Sequence, residues 1–193
     1  YEIEKFVFPE PYIILYEKLK PFSLGHLFLL SRVGLKTSND FLQNNKNIFL
    51  AIYICSRDYD EVWEDIKSGK YLEWLKKKEK FFKNKKYNLI EEIEIFFDYI
   101  KICSEHISYW SKSSGKKSSG NSDDLTNYLF ICAYALNELH LDIRTIFTLP
   151  LGFLITLCIV DLARKEIVDI KTQEDETLIE YAKNYKQQTE KNR

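Results

Sequence analysis

The sequence contains no methionine, and glycine, proline and histidine are scarce, with 6, 4 and 3 copies among 193 residues. So few turn-forming residues exclude the turn-dense layout of a β-sandwich or a β-barrel. Because methionine is missing even at position 1, we expect that residues precede Tyr1 in the natural protein. An excess of charge is also lacking, since 28 Lys and Arg residues stand against 29 Asp and Glu residues. This balance argues against general binding to nucleic acids or to membrane surfaces.

Only four cysteines are present, and no two of them have the CxxC spacing of a metal or redox site. Each lies in an apolar stretch, which is typical of buried free thiols in a reducing compartment; the four are Cys55, Cys103, Cys132 and Cys158. Charged residues interrupt the start of the chain, so no signal peptide is predicted there. The longest apolar stretch, 143–160, contains Arg144 and Pro150, and its uninterrupted part is shorter than the ~20 residues of a membrane span. We therefore expect a cytoplasmic protein that does not contact a membrane.

Apolar residues recur at helical spacing along most of the chain, and 13 Phe and 13 Tyr residues supply one sizeable core. The clearest pattern takes steps of three and four residues, and it comprises Leu89, Ile93, Phe96, Ile100, Cys103 and Ile107. Residues 1–19 instead alternate apolar and charged residues and contain Pro9 and Pro11, which favours an extended segment. The sequence therefore predicts an all-α fold of about seven helices in one compact domain with an extended N-terminal segment.

Several helix boundaries carry local signals. Pro21 ends the segment before it, and Ser23 can cap a helix that runs to Val33 and stops at Gly34. Pro150 suits the first turn of a helix that is apolar nearly all round, which predicts the buried centre of the second half. Further helices are predicted over 47–55, from the acidic turn 58–61 to Ser68-Gly69, from Tyr71, from Leu89, from Leu125 and from Thr172, with a short extended piece at 165–171.

A low-complexity stretch rich in Ser, Lys and Gly divides the chain near residue 115. Such composition is typical of a mobile linker. The chain is therefore predicted to form a single helical domain, 1–193, whose lobes 1–110 and 124–193 are joined by a flexible connector, 111–123.

Residues that could take part in catalysis or bind a ligand are isolated from one another in the sequence. Gly115-Lys116 lacks the upstream Gly and the following Ser or Thr of a phosphate loop. Cys103 and His106 lie three residues apart on a helix, but no second pair is present to complete a zinc site. His26 recruits no nucleophile, carboxylate or second ligand by its spacing, so it is expected to be a packed or hydrogen-bonded structural residue. The sequence therefore predicts no catalytic residue, no metal, no cofactor and no enzymatic activity.

Two runs of like-charged residues can each be interpreted either as an ordinary solvated part of a helix or as a binding site. The acidic residues of 58–65 fit the first turns of a helix, and the Gly-centred loop of a calcium site is missing. The run Lys76–Lys86 carries seven lysines and one acid between Trp74 and Tyr87. Aromatic residues among cations are found in single-stranded nucleic-acid grooves, but acidic residues follow and no Arg is present. We expect this run to form a solvated helix end, and polyanion binding by Lys76–Lys86 stays an alternative.

Three segments together resemble the phage tail assembly chaperones. The first is Leu19-Lys-Pro-Phe-Ser-Leu-Gly-His-Leu-Phe-Leu-Leu30, and the second is Ala51-Ile-Tyr-Ile-Cys-Ser-Arg-Asp-Tyr-Asp-Glu61. The third combines Leu149-Pro-Leu-Gly-Phe153, a buried helix, Ala163-Arg-Lys-Glu-Ile-Val168 and an acidic terminal helix. The third segment carries Arg164-Lys165-Glu166 where the family pattern usually has a Gly at the turn.

The resemblance implies a small viral helical protein of the host cytoplasm that binds the tape-measure protein and keeps it soluble. The partner would be another protein, and nucleic acid is not expected to bind. Exposed aromatic residues are the candidates for the partner-binding surface, namely Trp63, Tyr71, Trp74 and Trp110. An alternative with the same helices is a structural component that is retained in the finished particle.

Overall fold

A computed structural model of the chain describes residues 12–35, 38–83, 87–106, 109–111 and 125–171. Within these residues the fold consists of nine helices and four short strands, so the all-α prediction is confirmed. The helices are α1 (Leu24–Arg32), α2 (Ser38–Gln43), α3 (Asn45–Cys55), α4 (Tyr59–Ser68), α5 (Tyr71–Phe82), α6 (Leu89–Cys103), α7 (Leu125–Asn137), α8 (Ile143–Thr148) and α9 (Leu151–Arg164). The strands are β1 (Ile13–Ile14), β2 (Glu17–Lys18), β3 (Tyr109–Ser111) and β4 (Val168–Ile170).

The helix boundaries follow the local signals of the sequence. Ser23 is the N-cap of α1, and Gly34, just beyond the end of that helix, has a left-handed φ of 82°. Gly69 ends α4 with a φ of 74°, a conformation in which glycine has no steric penalty. Pro150 precedes α9 as its N-cap instead of occupying its first turn. Two short helices, α2 and α8, have no counterpart in the sequence prediction.

Of the extended segment predicted over 1–19, residues 1–11 lie outside the described part, and 12–19 contain an antiparallel hairpin of β1 and β2. Its two-residue turn consists of Leu15 and Tyr16, which both have positive φ values, 47° and 63°. Two-residue hairpin turns with two positive φ values are normally formed by Asn-Gly or Gly-Gly. A bulky pair at this place is strained, so contacts with the rest of the protein must hold it.

The core is built around α3, which contacts α1, α2, α4, α5 and α6. Seven residues of α3 are buried, namely Ile48, Phe49, Ala51, Ile52, Tyr53, Ile54 and Cys55. In the second half of the chain α9 packs against α7 and β4, and four of its apolar side chains are buried. This agrees with the expectation of a buried centre formed by the helix after Pro150.

The two halves of the chain pack against each other. Helix α1 contacts α8, and the backbone N–H of Leu151 donates to the carbonyl oxygen of Phe22 over 2.8 Å. Strands β3 and β4 also pair across the connector, with Trp110 opposite Asp169. Apart from Ser111, which belongs to β3, the predicted connector 111–123 lies outside the described residues, as does the helix predicted from Thr172.

All four cysteines are buried and unpaired by disulfides, as expected from their apolar surroundings. Burial raises the pKa of each thiol, most strongly for Cys55. The thiol form therefore prevails at neutral pH, and these side chains act as small core residues. Among the described helices, none combines the length and the apolar character that a membrane crossing requires.

The turn after α9 leads to a stability prediction. The N–H of Ile167 donates to the carbonyl oxygen of Leu162, and Glu166 between them adopts a φ of 60°. A non-glycine residue in this conformation costs about 1 kcal/mol. We therefore expect Glu166→Gly to raise the free energy of unfolding by about 1 kcal/mol, measured by urea unfolding. Glu166→Ala, which keeps the Cβ atom, is the control, and an equal gain in both variants would contradict the explanation.

Candidate protein-binding surface

Helix α7 contains no charged residue among its 13 residues, which is unusual for a helix with an exposed side. Its inner side belongs to the main core through Cys132 and Ala135, with partly buried Tyr128, Ile131 and Tyr134. This side packs against α8 and α9.

The outer side of α7 is apolar as well. Leu129, Phe130 and Leu136 are 51, 70 and 37% exposed, and Ala133 between them is also exposed. Because residues four and seven positions apart lie on one side of a helix, Leu129, Ala133 and Leu136 form a row about 10 Å long, flanked by Phe130. We call these four residues the α7 stripe. Contiguous apolar surface of this kind marks sites of interaction with other proteins.

A polar network beside the core fixes the orientation of α7. The Tyr134 hydroxyl donates to Oδ2 of Asp161 on α9 over 2.8 Å. Lys165 Nζ bridges the two helices, with 2.9 Å to Asp161 and 2.7 Å to Glu138. Hydrogen bonds from Lys165 and Tyr134 lower the pKa of Asp161, and those to Glu138 and Asp161 raise the pKa of Lys165. Both groups are therefore charged at neutral pH, and the network keeps the α7 stripe turned away from α9.

The apolar residues Tyr128, Leu129, Cys132 and Leu136 recur at helical spacing in the sequence, a pattern that is typical of a single core-facing side. The structure keeps Cys132 inside and turns Leu129 and Leu136 outward. Periodicity alone could not separate them, since both sides of α7 are apolar. The available signal was the lack of charge over 125–137, because a helix that covers the core with one side normally carries charges on the other.

The predicted partner-binding residue Trp63 lies on α4 and is half-buried against the main core. The Arg32 guanidinium and the Lys67 ammonium group each lie 5.0 Å from its ring centre. These cation–π contacts occupy the ring within the molecule. The side chain of Trp63 is therefore engaged in contacts within the protein.

Tyr71 and Trp74 both lie on α5, and both of their rings contact the ring of Tyr53 on α3. The ring centres of Tyr53 and Trp74 are 5.0 Å apart, and those of Tyr53 and Tyr71 are 6.4 Å apart. Arg57 lies 4.0 Å from the Tyr53 ring and 5.5 Å from the Trp74 ring. Burial and a hydrogen bond to the Asp65 carboxylate raise the pKa of Tyr53 to about 12. The cluster joins α3 to α5.

The fourth predicted residue, Trp110, has its backbone in β3, and its side chain lies outside the part that the structure describes. None of the four residues belongs to the α7 stripe. The stripe therefore adds a surface that the sequence analysis did not select.

Four of the five acidic residues of 58–65 lie in separate ion pairs. Their partners are Lys20 for Asp58, Arg144 for Asp60, Lys67 for Glu64 and Lys70 for Asp65. Cys103 is buried in the core, whereas His106 is exposed. Within the described ranges no three His, Cys, Asp or Glu residues come together in a way that could hold a metal ion.

His26 lines a small pocket of about 90 Å³ together with Ser23, Lys20, Asp58 and Thr148. Its Nδ1 atom accepts the Ser23 backbone N–H over 3.2 Å, and its own N–H donates to Ser23 Oγ over 3.3 Å. Its Nε2–H donates to the Arg57 carbonyl oxygen over 2.8 Å. These bonds form a capping box with histidine at its third position, so the structure confirms the expected hydrogen-bonded structural role.

No family model matches the chain, and the comparisons with curated proteins and with solved structures give no match. The function is therefore inferred from the surface itself.

Proposed function

We propose that this chain is a non-enzymatic protein-binding module and that the α7 stripe is its binding surface. The partner is an amphipathic helical segment of another protein, of the kind that the resemblance to phage tail assembly chaperones implies for a tape-measure protein. The exposed, uncharged side of α7 carries the proposal, because Phe130 and Leu129 are more than half exposed.

The chemistry of the stripe favours an apolar helix as its partner. Each large side chain that becomes buried contributes about 1.5–3 kcal/mol when it is transferred fully from water. No charge on α7 has to be desolvated when a partner covers it. A row of apolar residues about two turns long matches the anchors of an amphipathic helix at positions i, i+4 and i+7.

The proposal can be tested by co-expression with a long coiled-coil protein of the tape-measure type, the partner that the resemblance implies. We expect a soluble complex with the wild-type chain and a gain in the solubility of the partner. The double substitution Leu129→Lys/Phe130→Lys should weaken binding at least a hundredfold, since two anchors are lost and charges enter the interface. Binding constants of the purified complex, measured by calorimetry, give the comparison.

Ile102→Lys is the matched control, because Ile102 is 42% exposed on α6 and not part of the stripe. This variant should bind as the wild type does. If no complex forms with the wild-type chain, the protein-binding function is contradicted. If the double variant binds normally, the α7 stripe is not the binding surface.

The alternative of a structural component makes a different prediction. An assembly chaperone leaves before the particle is complete, whereas a structural component remains in stoichiometric amounts. Mass spectrometry of purified particles should therefore detect no copies of this chain under the present proposal.

A further inference from the structure

The α7 stripe has a symmetric order of side chains along the helix. Leu129 and Leu136 stand at its two ends, and the small side chain of Ala133 lies between them. All three are exposed. Because each residue of an α-helix rises 1.5 Å along the axis, the two leucines lie about 5 Å on either side of the centre of the row. The row therefore presents a large, a small and a large side chain in both directions along the helix.

Such an order fits a second copy of the same helix. In a two-fold symmetric contact both copies use the same surface, so residue i of one copy meets residue j of the other and the reverse. When two α7 helices lie antiparallel across the stripe, Leu129 of each copy faces Leu136 of the other. The two Ala133 side chains meet near the symmetry axis, and their small size lets the helices approach each other closely.

Phe130 closes one edge of such a pair. It is 70% exposed and follows Leu129 by one position, which turns it about 100° around the helix. A two-fold axis perpendicular to the helices keeps Phe130 and its copy on the same edge, about 8 Å apart along the helix axes. The two rings then cover the alanine side chains at the centre and shield them from water.

The lack of charge on α7 also favours a second copy. A symmetric contact places each charged group near its own equivalent, so a surface with charges of one sign repels its copy. No residue of α7 is charged, and Glu138 just beyond it pairs with Lys165 of the same chain. By contrast, the exposed side of α5 carries Lys76, Lys77 and Lys80 and would meet its own like charges.

The size of the stripe limits the strength of this contact. Four side chains of these types and exposures supply about 350 Å² of surface in each copy, compared with about 800 Å² per partner in a stable interface. A pair held by this area alone should have a Kd of about 100 μM. A contact of this strength is readily exchanged for a better-fitting helix.

We propose that the chain forms a weak two-fold symmetric dimer through the α7 stripe, and that the partner helix replaces the second copy. The replacement rests on the proposed function, whereas the dimer needs no other protein. Self-association covers the apolar side chains of the stripe while no partner is present. Each chain that binds a partner first leaves its copy, so the two contacts compete for one surface.

Sedimentation velocity of the chain alone tests the dimer. Between about 5 and about 500 μM the average mass should rise from that of one chain toward that of two. Leu129→Lys/Phe130→Lys should stay monomeric throughout, because lysines of both copies would meet across the axis. Ile90→Lys/Ile102→Lys adds the same charge at two exposed positions of α6 and should dimerise as the wild type does.

Three results of this measurement would overturn the dimer. They are a wild-type chain that stays monomeric over the whole range, normal dimers of the folded stripe variant, and growth beyond two chains, since a two-fold contact closes on itself. Thermal unfolding of every variant verifies the fold.

Single cysteines test the antiparallel arrangement. The four native thiols are buried, so an added exposed thiol is the one that reacts. Ala133→Cys would lie beside its own copy, and diamide should join the two thiols in an intermolecular disulfide while it is itself reduced. Leu129→Cys would lie about 10 Å along the axis from its copy and should cross-link at least tenfold more slowly. Equal rates at the two positions would contradict the antiparallel pair.

The same cross-link separates the replacement from the protein-binding function. Adding the coiled-coil protein of the tape-measure type should reduce the yield of the Ala133→Cys disulfide at least fivefold. If a complex forms and the yield is unchanged, the replacement is overturned and the protein-binding function stands. If the chain dimerises but the wild type forms no complex, the protein-binding function fails and the dimer stands.

Discussion

Gly152→Ala is expected to destabilise the protein by about 3 kcal/mol. A Cβ atom at position 152 would lie 2.0 Å from the carbonyl oxygen of Glu105 and 3.0 Å from that of Cys103. Real Cβ atoms do not approach oxygen so closely, and both neighbours are backbone atoms that no rotamer change can remove. The start of α9 must therefore move away from the end of α6.

Such a movement would disturb the contact between the two halves of the chain. The neighbouring Leu151 N–H is bonded to the Phe22 carbonyl oxygen, and Leu151 itself is only 1% exposed. A shift of α9 therefore breaks a buried hydrogen bond and opens the core next to α1.

Urea unfolding followed by circular dichroism measures the effect of Gly152→Ala. The control is Gly34→Ala, since a Cβ atom at position 34 meets nothing within 4 Å and only its φ of 82° opposes alanine. This control should lose about 1 kcal/mol. Equal losses in the two variants would show that close approach of α9 and α6 is not what requires glycine at position 152.

Local signals made part of the fold predictable. The cap at Ser23 and the glycines at 34 and 69 depend on backbone conformation over a few residues, and their helices end where these signals lie. The same holds for α6, whose steps of three and four residues correspond to buried Ile93, Phe96 and Cys103. In each case the residues of one short segment are enough to predict the helix boundary or its buried side.

Contacts between distant segments were not predictable in this way. Helix α8 has only six residues and is held by its contacts with α1 and α7, and β3 finds its partner β4 about 60 positions later. The hairpin turn at Leu15 and Tyr16 also depends on long-range packing, since nothing in this pair of residues indicates a tight turn. The turn at Glu166 is a similar case, because its left-handed conformation was expected of glycine.

The surface of α7 shows a further limit of sequence patterns. A helix with apolar residues on all sides can lie in a core or can expose one side to a partner, and the periodicity is the same in both cases. Only the positions of α8 and α9 decide that Cys132 is buried and that Phe130 is exposed. The candidate site therefore required the fold before it could be recognised.

His26→Ala is the second substitution with a large expected effect, a loss of about 3 kcal/mol. The imidazole is buried and joins the start of α1 to the Arg57 carbonyl oxygen, while its Nδ1 atom accepts the N–H of Ser23. Alanine would leave a cavity and two backbone groups without their partners. As a control, Asn88→Ala removes the exposed cap of α6 and should cost only about 1 kcal/mol.

The same histidine should make stability depend on pH. Burial lowers the pKa of His26 below its ordinary value of 6.5, although the Arg57 carbonyl oxygen and the Asp58 carboxylate partly oppose this. Above pH 6.5 both the folded and the unfolded chain hold His26 neutral, and its contribution is fully present. As the pH falls below 6.5, the unfolded chain binds a proton that the folded chain does not, so the free energy of unfolding decreases toward the lower folded pKa.

His26→Gln isolates this contribution, because glutamine can accept the Ser23 N–H at the same cap position but does not titrate. Unfolding curves measured from about pH 8 down to about pH 5 should show a smaller decrease for His26→Gln than for the wild type. Other groups titrate equally in both proteins, so the difference between the two curves belongs to His26. Parallel curves for the two proteins would mean that His26 binds its proton as easily in the folded chain as in the unfolded one, in spite of its burial between Ser23 and Arg57.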